Sequence, residues 1–150
     1  SNEPVHTVPH IFVHIGKADR TQYWVRRIQE ESYNTTEYGF CGNEDVGQLS
    51  AWYVLSAFGF AQVCPANDEY YINTPLFKSA KIRLDPKYHS CTADKAFAVE
   101  CDKDPEEYPY IAAVYFNGKK VTSPYLTYAE ITSGGVMKVE LSKEPCESFE

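Results

Sequence analysis

The chain has no basic face. Its 14 Lys and Arg stand against 21 Asp and Glu in 150 residues, a formal net charge of −7. No stripe of cations is available to neutralise phosphates, which excludes an ordinary nucleic-acid binder. Also lacking is any apolar run approaching the ~20 residues needed to cross a bilayer, so no membrane span is expected, and no signal peptide is legible. Methionine occurs once, at Met137, while the chain opens at Ser1 on a polar motif; together these read as the C-terminal piece of a longer protein. The five cysteines, at 41, 64, 91, 101 and 146, show no CxxC spacing, which argues against a zinc site. Cys91 and Cys101 flank a candidate hairpin and would pair in an oxidising compartment, and the odd count leaves a thiol over. No internal repeat is found.

What is present is globular. Apolar residues make up 43% and charged residues 23%, a balance that supports a packed core in one domain or two small pieces. Aromatics reach 15%, led by 12 Tyr; such rings suit stacking on sugars, although most belong to core and sheet positions. Asn34-Thr35-Thr36 is a glycosylation sequon of the kind that arises by chance.

The pattern changes near Cys64-Pro65. Before it the periods are helical. Val8, Ile11, Phe12 and Ile15 form an apolar stripe at α-helical spacing ending at Gly16. Thr21 is placed to cap a second helix through about Ser32, with Trp24 or Val25 and Ile28 inward and Arg26, Arg27, Glu30 and Glu31 in water. A third helix follows an acidic turn and stops at Gly59. From Leu49 to Phe58 it is apolar or small on nearly every side, so it calls for neighbours beyond this chain. After Pro65, strands are expected at 69–72, 80–84, 96–100, 111–116 and 136–141. Asn117-Gly118 signals a hairpin, and 127–131 a helical turn before Gly134-Gly135. Helices first and strands second make an α+β chain, divided into 1–64 and 65–150.

The chemistry concentrates in Gly42-Asn43-Glu44-Asp45-Val46-Gly47-Gln48. Asp45-Val46-Gly47-Gln48 reads as a capping box. A carboxylate near a helix N-terminus is held ionised by the helix dipole, which suits a resting base or a cation ligand better than an acid. Glu44 and Asn43 add oxygens of the kind calcium takes. From these residues alone, a helix cap with solvated neighbours is the favoured reading. A second polar cluster opens the chain: Ser1-Asn2-Glu3-Pro4-Val5-His6. His6, His10 and His14 recur every four residues, aligned if the segment is α-helical; without companion carboxylates, a polar flank is favoured over a zinc face.

Asn2-Glu3-Pro4, the run from Tyr38 through Gly42-Asn43-Glu44-Asp45 and Ser50-Ala51-Trp52-Tyr53 to Phe60, then Glu69-Tyr70-Tyr71-Ile72, Thr74-Pro75-Leu76-Phe77, Phe116-Asn117-Gly118-Lys119 and Gly134-Gly135 closely resemble the end of the catalytic domain of glycoside hydrolase family 92. The resemblance extends to about Pro145. It implies a calcium-dependent, inverting exo-α-mannosidase acting on N-glycans or mannans. The implied architecture is the last helices of an (α/α)6 barrel followed by a β-rich, sandwich-like C-terminal part. Asp45 matches the general base and Asn43 its companion, at a position where relatives can carry Asp. Glu3, with Asn2 and Glu44, matches the contacts to mannose. Asp45, His6 and Thr7 fall where calcium is held, the last two through main-chain oxygens. The general acid and the rest of the catalytic domain would lie upstream, leaving the isolated chain inactive. The implied location is secreted, periplasmic or at a bacterial cell surface. The competing reading is a non-catalytic carbohydrate-binding or interaction module built on the β-rich half.

Overall fold

The computed structural model describes residues 3–89 and 95–149, and side chains from residue 5 onward within those spans. A 3-10 helix, Glu3–Ile15, opens the structure. Such a helix turns once every three residues, so side chains three apart lie on one face. Val5, Val8 and Ile11 share such a face and are 49%, 52% and 54% exposed, while His10 and Val13 are buried. Of the expected stripe, Val8, Ile11 and Ile15 are therefore in solvent and Phe12 is half-buried, because the segment winds more tightly than its sequence period implies. For the same reason the three histidines do not line one face. His6 and His10 are buried, and His14 is exposed with its ring edge-on to Tyr71.

Helix α1 runs Ala18–Ser32 and buries Thr21, Gln22, Val25 and Gln29. It starts before Thr21, so Thr21 is an interior buried residue and not the cap; Lys17 holds the N-cap without a side-chain bond. Val25, fully buried, takes the core position, and Trp24 is 38% exposed. Arg26 departs from the expected wet face. Its guanidinium donates to the carbonyls of Pro75 at 3.1 Å and Pro105 at 3.0 Å, and burial lowers its pKa despite the nearby Glu30.

Helix α2 runs Gln48–Phe58 and ends on Gly59 in the left-handed region, φ 105, whose amide returns to the carbonyls of Leu55 and Ser56. Only glycine fits there, since an added Cβ would meet Pro75 Cγ at 2.7 Å. The helix buries Leu49, Trp52, Ser56 and Ala57, while Val54 is 51% exposed. Its all-round apolar character is therefore not matched by burial within the described residues.

Two sheets follow. The smaller is antiparallel throughout, in the order β1-β2-β7, from Phe60–Gln62, Glu69–Ile72 and Tyr125–Thr127. The larger contains β3 (Ser79–Arg83), β4 (Ala96–Cys101), β8 (Gly135–Ser142), β5 (Tyr110–Phe116) and β6 (Lys119–Lys120), in that spatial order. Among the described residues of this sheet, only the β4–β8 pairing is parallel. The Asn117-Gly118 hairpin forms as expected, both residues having positive φ (48 and 82), as a type I′ turn requires. The expected helical turn is α3, Tyr128–Ser133, closed by a capping box between Thr127 and Glu130. The short strands β1 and β7 have no sequence signal of their own.

Phe60, Ile72 and Leu126 of the small sheet pack with Phe97, Val99, Ile111, Val114, Met137, Val139 and Leu141 of the large one in a single core. This is the mixed, sandwich-like α+β fold that the sequence implied. Helix α1 docks on it through Gln22: its Oε1 accepts the Ile111 amide at 2.9 Å, and its Nε2 donates to Ser148 Oγ at 3.2 Å. Cys91 lies outside the described residues, and with it the Cys91–Cys101 pairing. Cys41, Cys64, Cys101 and Cys146 form no disulfide among the described residues, and the Cys101 thiol is pushed up to about 11 by burial and the neighbouring Asp102.

Candidate functional site

The acidic turn is built by a backbone that side chains rarely adopt. Val46 has φ 58 and Gly47 φ 80. For glycine this is free; for a β-branched residue it is strained by ~1–3 kcal/mol. Val46 is also fully exposed, so no burial of its side chain offsets the strain. The double left-handed step turns the chain sharply into α2, leaving Asn43 and Asp45 exposed beside the helix's amide end.

Glu44 caps that end. Its Oε2 accepts the Ser50 amide at 3.0 Å and the Ser50 hydroxyl at 2.8 Å. The expected capping box does not form, because Gly47 is the N-cap and offers no side chain. The Asp45 carbonyl receives the Gln48 amide at 3.2 Å. Glu44 is thus a capping residue, and its Oε1 is buried without a hydrogen-bond partner among the described residues.

Gln48 bonds elsewhere. Its Oε1 lies 3.3 Å from His6 Nδ1, and His6 Nε2 lies 3.1 Å from the Tyr33 hydroxyl. The imidazole stacks on Trp52 at 4.3 Å and 6°. Tyr33 packs in turn on Tyr53 at 4.8 Å and edge-on to Phe40 at 6.2 Å. Burial raises the phenol pKa of Tyr33, with smaller contributions from Cys41, Glu44 and Tyr53. The two polar clusters read from the sequence, at the chain's opening and at Asp45, are therefore joined through one buried ring. Tyr33 and Trp52 were not found as members by sequence reasoning, and no local signal marks them: Tyr33 meets His6 across 27 residues.

Of the other candidates, Asn2 and the side chain of Glu3 lie outside the described residues, and Thr7 is half-buried on the 3-10 helix. Calcium takes about six to eight oxygens. Asn43, Asp45 and the unpartnered Glu44 Oε1 are oxygens of the right kind. Both nitrogens of His6 face protein groups, so that residue would reach an ion through its carbonyl alone. No group of three or more His, Cys, Asp and Glu able to hold a metal occurs among the described residues. The described part of the chain thus fits a contribution to a calcium shell and not a complete one.

Beside the site, Val5, Val8, Pro9, Phe12, Trp24 and Ile28 line an apolar groove open to solvent.

The family model for the "Glycosyl hydrolase family 92 catalytic domain" matches residues 1–143. A family GH92 inverting mannosidase from Bacteroides thetaiotaomicron superposes with a TM-score of 0.83 at 38% identity, over 96% of this chain and 19% of that one. A family GH92 α-mannosidase from the same organism gives 0.85 at 30% identity, over 96% and 18%. An uncharacterised secreted glycosidase of Arthroderma benhamiae is 24% identical over 95% of this chain and 18% of its own length. The chain therefore spans less than a fifth of each of these relatives.

Proposed function

The chain belongs to glycosyl hydrolase family 92, and from that premise we propose that it is the C-terminal part of a calcium-dependent exo-α-mannosidase that inverts configuration, with Asp45 as the general base. The observation that carries this reading is the exposed Asp45 on a strained turn at the amide end of α2. Local strain is kept where a side chain must be aimed, and here the capping task that would otherwise explain a carboxylate falls to Glu44.

An inverting glycosidase sets a protonated carboxyl on the leaving-group side of the bond and a base on the opposite face. The two stand about 6.5–9.5 Å apart, so that a water fits between base and sugar. In this reading Asp45 takes the proton from that water as its oxygen attacks the anomeric carbon, while the acid comes from upstream of this chain. Asn43 cannot share the proton, so Asp45 acts alone, with the Asn43 amide orienting the water. Asn2, Glu3 and Glu44 contribute to holding the terminal mannose. Calcium, when bound, supplies positive charge that grips vicinal hydroxyls and favours a distorted ring; Asp45 and the carbonyls of His6 and Thr7 would take part in holding it. The substrates are α-mannosides of N-glycans or mannans. The remainder of the catalytic domain covers the groove lined by Val5, Val8 and Trp24. A secreted, periplasmic or cell-surface setting agrees with the secreted relative.

The test is Asp45→Asn in the complete enzyme. Mannose release should fall at least about a hundredfold, as for loss of a general base, with the thermal midpoint unchanged. Turnover above about a tenth of wild type sinks the assignment. The same assay under chelation reads the calcium requirement, and full activity in a chelator removes the ion from the proposal.

A further inference from the structure

His6 is engaged at both ring nitrogens and on one face. Both nitrogens lie within hydrogen-bond reach of another element: Nδ1 of Gln48 at the start of α2, and Nε2 of Tyr33 just past the end of α1. Its face lies flat on Trp52, one turn further along α2. The residue is 5% exposed.

The proton inventory closes for a neutral ring. With Gln48 Oε1 as acceptor, Nδ1 carries the proton and Nε2 accepts from the Tyr33 hydroxyl. If the Gln48 amide is turned over, every bond in the chain reverses: Gln48 donates to Nδ1, Nε2–H donates to Tyr33, and the Tyr33 hydroxyl donates to the Leu49 carbonyl 3.3 Å away. Either way one imidazole ties three elements, and the residue it fixes most directly is Gln48, whose backbone N–H donates to the Asp45 carbonyl. Gly47 supplies no side-chain cap, so the strained turn is held by Glu44 on one side and by Gln48, through His6, on the other.

We propose that His6 is a positioning residue for the Asp45 turn: it locks the opening 3-10 helix to the first residue of α2 through Gln48 and Tyr33, and thereby sets where the Asp45 carboxylate stands. It touches neither water nor sugar. The inference rests on the reading of Asp45 as base, and it explains why a ring at this place is hydrogen-bonded at both nitrogens. A displacement of about 1 Å in a reacting group costs on the order of a hundredfold in rate, so losing the tie should lower turnover while leaving substrate binding alone.

The experiment uses the complete protein with His6→Phe, which keeps the stack on Trp52 and deletes both polar contacts, and Gln48→Leu, which cuts the same tie from its other end. Amide hydrogen exchange over residues 45–50 should quicken at least about tenfold in each variant. On an α-mannoside, kcat should fall about 10- to 100-fold with KM within about twofold, and the double variant should fall no further than the worse single. Unchanged exchange in both variants overturns the proposal, as does unchanged kcat in a loosened turn, or a double variant whose losses multiply. If His6→Phe does not fold, Gln48→Leu decides alone. Retained turnover in Asp45→Asn would instead sink the base assignment, and the exchange measurement then still decides whether the ring holds the turn.

Discussion

Acid should weaken this fold through His10. The ring is fully buried and neither nitrogen has a hydrogen-bond partner among the described residues. Burial, with smaller repulsions from His6 and His14, lowers its pKa from 6.5 to about 4. The unfolded chain therefore binds a proton below pH ~6.5 that the folded chain refuses until about pH 4, and stability drops as pH falls through that window. At about 1.4 kcal/mol per pH unit, the gap amounts to about 3 kcal/mol, a large part of an ordinary domain's margin. The assay is urea unfolding of the complete protein, followed by fluorescence, at several pH values between 7 and 4, for wild type and His10→Leu. The leucine variant loses no hydrogen bond and should be close to wild type at pH 7. It should then pull ahead by about 3 kcal/mol towards pH 4. Parallel curves would refute the reasoning, since they would mean that His10 is protonated with little cost in the native state.

Gly59→Ala should destabilise by at least about 2 kcal/mol, because it adds left-handed strain at φ 105 to a clash with Pro75; a thermal midpoint within about a degree of wild type would contradict this. Gln22→Leu leaves the buried Ile111 amide without its acceptor and should cost about 1–3 kcal/mol. Its signature in hydrogen exchange should be loss of protection at Ile111 before the rest of β5, and an unchanged Ile111 amide would count against it.

What was legible in the sequence is what is decided within a few residues. Asn117-Gly118 demands a tight turn, Gly59 a helix stop, and 127–131 a helical turn, and each stands where expected. The α+β order is legible for the same reason. The 3-10 helix was misread because its apolar residues fit two periods, and only packing of His10 and Val13 inward chooses the tighter one. The sequence marks Asp45 as the cap of α2, whereas Glu44 accepts the Ser50 amide: two adjacent carboxylates are equivalent in sequence until the backbone of the turn is known. The candidate site was legible as two segments and not as one place. Their union depends on His6 meeting Gln48 across 42 residues, a contact that no local pattern encodes.

The placing of β8 reaches back into how the chain is made. Among the strands of the described residues it is made after all the others, yet it sits in the middle of the large sheet between β4 and β5. While a ribosome has released the chain only as far as Gly134, β4 and β5 flank an open slot, each presenting a ladder edge that invites wrong pairings. The sheet closes like an arch receiving its keystone, in one late step whose parallel half, β4 with β8, is of the slow non-local kind. A stop codon after the Asn117-Gly118 hairpin would therefore not trim an end. It would remove the centre, and with it the floor on which the helices and the Asp45 turn are set.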